Sequence, residues 1–412
     1  MRILVSTSTF PSSLDDGIPR FVYDLAESLA AHAQVTVLAP GTSDASGRTT
    51  MGTLDVRRFG YFWPRRLQRL TPSGGQGMSD KMRESWLAWG QVMPFLVRQR
   101  LATRRLVREL DIDVVNAHWI VPQGLTAAWA LGRRHEAKLL LHVHAADVYL
   151  LQRLPLGRVI ARYVVKRCDA IFSAGSHVRD CLDELLGFPS NAQLQPMGVH
   201  LELFRRPQNA DATAKRFAAD FLDGYVLFVG RFVEKKGTAY LIRALPHVLQ
   251  QIPHLGLVLV GSGAEENNLR REVETLGLER LVRFVGRQTH GEIVELLRDC
   301  RVAVVPSIID SRGETEGMPT VVIEAMSAGV RVVGSAVDGI PDIINHEQNG
   351  WLCRPKDPDD LAAKILTALN DPTPSAVTQS AIETSQRFGW PQVAANYLEC
   401  MQRLVNGEKA AT

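Results

Sequence analysis

Twice along its length the chain alternates short apolar β-rich runs with stretches of helical periodicity. In residues 1–200 the runs are ILVST, QVTVLA, DVVNAH, LLLHV and AIFSA; further on they are YVLFVG, LGLVLVG, VRFVG, VAVVP and VRVVG. Strands buried on both faces read as continuous apolar runs, and strands separated by helices build parallel sheets with helices on each side. One intervening stretch, Ile18–Ala31, puts Phe21, Val22, Leu25 and Leu29 on one helical face. The doubled alternation predicts an α/β chain of two doubly wound, Rossmann-like domains facing across a cleft. Its 412 residues suit two cores better than one.

The expected domains are 1–200 and 201–389, with the linker in the strand-poor, polar stretch Leu201–Asp223. A last helix is expected over about 390–406, from the spacing of Val393, Tyr397, Met401 and Leu404. Packing back on the first domain is one option for it. The opening MRILVSTSTF reads as a first strand rather than a signal peptide, and no apolar run reaches 18 residues, so a cytoplasmic protein is expected. Five scattered cysteines without a CxxC pair fit free thiols better than a disulfide frame or a zinc site.

Ligands of doubly wound sheets bind beyond the carboxyl ends of the strands. Two stretches there carry chemistry. After YVLFVG comes Gly230-Arg-Phe-Val-Glu-Lys-Lys-Gly237, where Arg231 and Lys236 offer a fork and a point charge to a diphosphate. Taken alone, a solvated turn explains this stretch equally well. After VAVVP comes Glu316-Gly-Met-Pro-Thr-Val-Val-Ile-Glu324-Ala-Met-Ser-Ala-Gly329. Pro319 suits the first helical position and Gly329 the helix end, so a helix is expected over about Pro319–Ala328. Its N-terminus is an anion site. Glu316 and Glu324 flank that site and suit hydroxyl groups on either side of a diphosphate. An acid–nucleophile pair for glycoside hydrolysis explains neither the cations nor the helix start.

These motifs resemble those of the family-four retaining glycosyltransferases of GT-B fold, over nearly the whole chain. Glu316-x7-Glu324 within EGMPTVVIEAMSAG carries the resemblance most specifically. Gly230, Arg231, Lys236 and Gly237 match the family's GR…KG element, and Leu259–Gly263, with Gly261, its LVGSG turn. DGIPDII (Asp338–Ile344) and NGWL (Asn349–Leu352) match later elements. LHVHAAD is similar to the strand ending in HGxD, which maps His144 and Asp147 onto active-site positions. Ser173–Ser176 and Pro196–His200 resemble the elements that follow, although Met197 and His200 replace the family's usual Asn and Asp and take no role. Gly17 stands for the glycine-rich loop after the first strand, here with a single glycine.

The resemblance implies donor binding in the second domain, by Gly17 from the first and by Arg231, Lys236, Gly261, Gly317, Met318, Pro319, Thr320 and Glu324. It places the acceptor in the first domain. It implies transfer of a hexose from a UDP- or GDP-linked sugar to a glycan or lipid-linked acceptor, with retention, through an oxocarbenium-like state, without cofactor or metal. His144, Asp147 and Glu316 are the catalytic candidates, and the reaction would need both domains to close on the sugar. A nucleotide-sugar epimerase of the same architecture and a non-catalytic nucleotide-sugar sensor are the competing functions.

Other features are weighed against bland explanations. Asp111-Ile-Asp113 spells a metal-binding DxD but lies between a helix and a strand, where a structural role is expected. His142 shares a strand face with His144 and is a candidate support for it. No GxGxxG follows the first strand, which argues against a dinucleotide enzyme. Net charge is unevenly spread. Residues 1–200 hold 24 Lys and Arg against 17 Asp and Glu, which leaves 23 against 27 from totals of 47 and 44. Residues 57–108 interleave twelve basic residues with Tyr61, Phe62, Trp63, Trp86, Trp89 and Phe95. That pattern suits peripheral contact with an anionic inner leaflet, and an exposed basic helix over core aromatics is the alternative. Nucleic acid would leave the EGMP helix unexplained and is not expected.

Overall fold

The computed structural model describes residues 1–13, 20–42, 45–71, 78, 81–82, 85–132, 137–204, 220–372 and 375–408. They form two compact units, Met1–Gly198 with Trp390–Thr412, and Val199–Gly389.

The first unit holds an eight-stranded sheet. Its strands are β1 (Arg2–Ser6), β2 (Gln34–Pro40), β3 (Gly47–Met51), β4 (Leu54–Phe59), β5 (Val114–His118), β6 (Lys138–Val143), β7 (Ala170–Ser173) and β8 (Gln193–Leu194). Their order is β3-β4-β2-β1-β5-β6-β7-β8, and only β3 runs antiparallel to its neighbour. Side chains alternate between two cores, as strand geometry requires. Leu4, Val115, Leu139 and Leu141 pack on one side; Ile3, Val5, Val114 and Leu140 pack on the other. The first core is closed by helices including α3 (Val92–Glu109), α6 (Gly157–Val165) and α7 (Ser176–Leu186); α2 (Trp86–Gly90) precedes α3. The second is closed by α1 (Phe21–Ala30) and by the chain's last helix, α15 (Trp390–Val405). Trp390, Val393, Tyr397 and Met401 of α15 are buried there beside Val22, Leu25 and Leu29 of α1. Gly198 makes room for this, because a Cβ would stand 2.4 Å from the Trp390 ring.

The second unit holds β9 (Tyr225–Val229), β10 (Gly256–Val260), β11 (Val282–Gly286), β12 (Val302–Val305), β13 (Arg331–Ser335) and β14 (Trp351–Cys353), all parallel, in the order β11-β10-β9-β12-β13-β14. Leu227, Val258, Ala303 and Val332 face a core shared with α11 (His290–Asp299) and α12 (Thr320–Ser327). Val226, Leu257, Val304 and Val333 face one shared with α9 (Thr238–Leu249) and α13 (Pro358–Asn370). Each buried Val or Leu among these contributes about 1.5–3 kcal/mol. The strand order reverses between β9 and β12, and ligands of such sheets bind at that point.

Some boundaries differ from the sequence reading. The helix expected over Ile18–Ala31 spans Phe21–Ala30, and residues 18–19 lie outside the described ones. The expected linker begins with a short helix, α8 (Leu201–Phe204). The helix at Thr320 starts one residue late, so Pro319 takes the extended cap position with ψ 108° rather than the first helical one. The antiparallel pair β3–β4 was missed. GRTTM is polar and exposed, so it lacks the apolar run that marked the other strands. Tyr61 and Phe95, 3% and 1% exposed, belong to the core, whereas Trp63, Trp86 and Trp89 are 86, 85 and 58% exposed. Asp111 and Asp113 both pair with Arg2, and Asp113 also accepts from the Arg2 amide at 2.6 Å. The DxD pins the edge of β1 to β5.

Candidate active site

In the second unit the residues singled out by sequence gather at the strand-order reversal. Beyond β9 the chain turns at Gly230, makes one tight turn at Glu234–Lys236, and enters α9 through Gly237. Gly237 has φ 66°, and a Cβ there would stand 1.8 Å from the Pro306 carbonyl oxygen. The segment after β9 thus lies directly on the segment after β12. Gly261, with φ 136°, does the same for the next strand end: a Cβ would stand 1.9 Å from the Gly230 oxygen. Its role here is close backbone approach.

This packing brings Lys236 to Glu316. The ammonium donates to Oε2 at 2.8 Å, with side chains only 15% and 12% exposed. Burial raises the Glu316 carboxyl, but Lys236, Lys235 and Arg231 together hold it below its usual range. Its Oε1 is buried and has no partner among the described residues. Arg231 is exposed, and Lys235, which sequence reasoning passed over, donates to the Thr315 carbonyl at 3.0 Å.

Gly317, Met318, Pro319 and Thr320 lead into α12; in its first turn the Val322 amide donates back to the Pro319 carbonyl at 3.1 Å, and the Thr320 and Val321 amides precede any i−4 acceptor within the helix. Glu324 is half-buried one turn inside. Burial raises its carboxyl to about 7, against the pull of the Thr320 hydroxyl and of Lys236. The DGIP loop abuts this start: a Cβ on Gly339 would stand 2.5 Å from the Gly317 oxygen.

Asp338 precedes it with φ 56°, a backbone region that favours glycine. Burial pushes its carboxyl up to about 8, the Glu316 charge adds to this, and Lys235 opposes it. Sequence reasoning had only the motif match here and assigned Asp338 no role. A folded pKa above the unfolded value means that stability falls as pH rises through that window. Asp338→Asn should therefore match the parent in Tm near pH 4 and exceed it increasingly up to pH 8. Parallel melting curves at all pH values would overturn this.

In the first unit, His144 follows β6 and caps α5 (Ala145–Arg153) in a reciprocal box, its ring taking the Asp147 amide while Asp147 Oδ1 accepts the His144 amide at 3.0 Å. Asp147 Oδ2 accepts the Ile120 amide at 2.6 Å. Burial raises the Asp147 carboxyl to about 7 despite these bonds. Both of its oxygens are thus spent on backbone.

His118, His142 and His144 form a cluster in which the His142 and His144 rings stack at 4.5 Å and 7°. His118 Nδ1 lies 3.3 Å from His144 Nε2, and His142 Nδ1 bonds the Tyr397 hydroxyl of α15. Burial lowers all three, His144 to about 3, so the imidazoles are neutral at physiological pH. Three nitrogens this close could hold a metal by distance alone. The stacked rings of His142 and His144 hold their in-plane lone pairs in two nearly parallel, separate planes, which suits support better than joint ligation of one centre. His118 and Tyr397 were not foreseen; the pattern NAH at a strand end was the available signal for His118. Gly17 lies outside the described residues.

Comparison with known proteins follows the same division. Residues 16–203 match the family model described as Glycosyltransferase Family 4, and residues 213–387 match Glycosyl transferases group 1. A glycogen synthase of Mycobacterium tuberculosis is 26% identical over 423 residues, covering 99% of this chain and 96% of that protein. Sucrose-phosphate synthase from Thermosynechococcus elongatus superposes with TM-score 0.75 at 21% identity, covering 99% of this chain and 100% of the other. HepE of Anabaena in complex with UDP-glucose superposes with TM-score 0.67 at 18% identity, covering 98% and 99%. With both halves matched and the fold shared, the chain belongs to the family-four glycosyltransferases of GT-B fold.

Proposed function

We propose that this glycosyltransferase moves a hexose from a UDP- or GDP-linked sugar to a glycan or lipid-linked acceptor, with retention of configuration and without a metal. The observation that carries the reading is the buried Lys236–Glu316 pair at the start of α12, with Glu324 one turn inside. Arg231, Lys236 and the amides of Gly317, Met318 and Thr320 meet the negative charge that grows on the leaving diphosphate. Glu316 Oε1 accepts a sugar hydroxyl and Glu324 the ribose hydroxyls. His144, neutral, hydrogen-bonds the sugar near the reacting carbon, and Asp147 acts as a positioning residue that holds its backbone. A thermal-shift series against UDP- and GDP-sugars, followed by a transfer screen with anomer analysis, tests this. The absence of any stabilising nucleotide sugar, or an inverted product, would refute it.

The Glu324 carboxyl gives a pH test. Ribose hydroxyls donate to the ionised form, so donor binding displaces a proton. Affinity should rise as pH climbs from 6 through 7 and level off near 8, and Glu324→Gln should flatten the profile. Calorimetry in buffers of different ionisation enthalpy reads the proton directly. A pH-independent Kd in the unmodified protein would remove Glu324 from the ribose.

A further inference from the structure

The solvent face of α2–α3 is apolar. Trp86, Trp89, Met93, Val97 and Leu101 recur at spacings of three and four and form one stripe, about 22 Å long. They are 85, 58, 61, 37 and 48% exposed. The opposite side of the same helix buries Gln99 and Thr103 along with Phe95 and Leu106. A helix that hides an amide and shows tryptophan to solvent has the reverse of the usual surface pattern.

Charge follows the stripe. Residues 85–108 contain five arginines and no Asp or Glu. Helical spacing places Arg104 and Arg108 on the same face, beyond Leu101, and Arg100 lies 4.4 Å over the half-exposed Trp129 ring. Beside the stripe opens a surface cavity of about 450 Å³, to which Arg48, Arg57, Arg65, Arg98, Arg105 and Leu101 contribute. Arg48 and Arg57 share Asp55, and Arg105 pairs with Glu109. Arg65 and Arg98 donate to neutral oxygens, Ser46 Oγ at 2.6 Å and the Gly60 carbonyl at 3.1 Å.

We infer that this face docks on a bilayer containing anionic phospholipid. The stripe lies in the interfacial layer and a lipid phosphate sits at Arg65 and Arg98. Tryptophan favours that layer, and arginine beside it meets the phosphates. No helix among the described residues is long and apolar enough to cross a membrane, which fits a helix lying in the surface. A second copy of the chain is the competing occupant. A two-fold contact would set this arginine-rich face against itself with no carboxylate between residues 85 and 108 to offset it.

The inference stands apart from the donor chemistry and is tested without it. The full chain, free of nucleotide sugar, is floated with phosphatidylcholine vesicles with and without phosphatidylglycerol. Flotation is expected with phosphatidylglycerol only. W86S/W89S should bind about tenfold more weakly or worse. R65Q/R98Q should lose about fivefold for each arginine, together with part of the salt dependence. Equal binding by the variants, no preference for anionic vesicles, or a stripe-dependent dimer that ignores vesicles would each overturn it. A thermal-shift response to nucleotide sugars, run on the same variants, reports on the donor site separately.

Discussion

Lys236→Ala is expected to reduce sugar transfer by about 10³-fold, on the scale of losing one preorganised charge at a leaving group. It should also lower stability by about 3 kcal/mol. Glu316 is only 12% exposed and would be left without its counter-ion, and breaking a buried pair costs more than never having made it. The two effects separate in a double variant. Lys236→Met with Glu316→Leu should regain most of the lost Tm, because both charges are gone, while remaining inactive. Steady-state rates and melting curves on the three proteins decide the matter. Near-normal transfer by Lys236→Ala would remove the pair from the reaction, and a double variant less stable than Lys236→Ala would show that the pair is not offset as described.

Asp147→Ala should be the most damaging change in the first unit. The residue is 3% exposed, and its loss strands the buried amide of Ile120 and the part-buried amide of His144. Each unsatisfied buried group costs about 1–3 kcal/mol. A second element depends on it. Trp119, just before Ile120, is held at φ 72°, an outlier for a bulky side chain, and its ring lies 4.9 Å from His144. Without the carboxylate the loop is expected to relax and the His144 ring to lose its wall. Transfer should fall about 10²-fold with little change in donor affinity, since the donor residues other than Gly17 are in the other unit. Asp147→Asn keeps one acceptor and should lose less. An Asp147→Ala protein that folds normally and keeps its kcat would contradict the positioning role.

Much of this was legible because the physics is local. Ten strands announced themselves as apolar runs, since a sheet covered on both faces leaves no polar side. The EGMP helix was legible because an anion site needs a helix start after a strand, and Pro319 and Gly329 bracket one to within a residue. What escaped notice was either polar or distant. β3 is polar and exposed and carries no apolar signature, and β4 alternates buried with half-buried residues (LDVRRF) instead of forming a continuous apolar run. Asp338 acquires its raised pKa from burial and from Glu316, 22 positions earlier, and nothing in DGIP alone shows that. His142 bonds Tyr397 across 255 positions, a pairing that exists only once α15 is packed in the first unit. The aromatics of 57–108 divided between core and surface, because interleaving in sequence does not tell which side of a helix faces inward.

The place of α15 also sets an order of assembly during synthesis. Residues 199–389 are contiguous and can close their own sheet as soon as they leave the ribosome. The first unit, although made earlier, must wait with the apolar faces of Val22, Leu25 and Leu29 uncovered until Trp390–Val405 emerges. The half translated first is therefore the half completed last, and its exposed surface in that interval is where a chaperone would have most to hold.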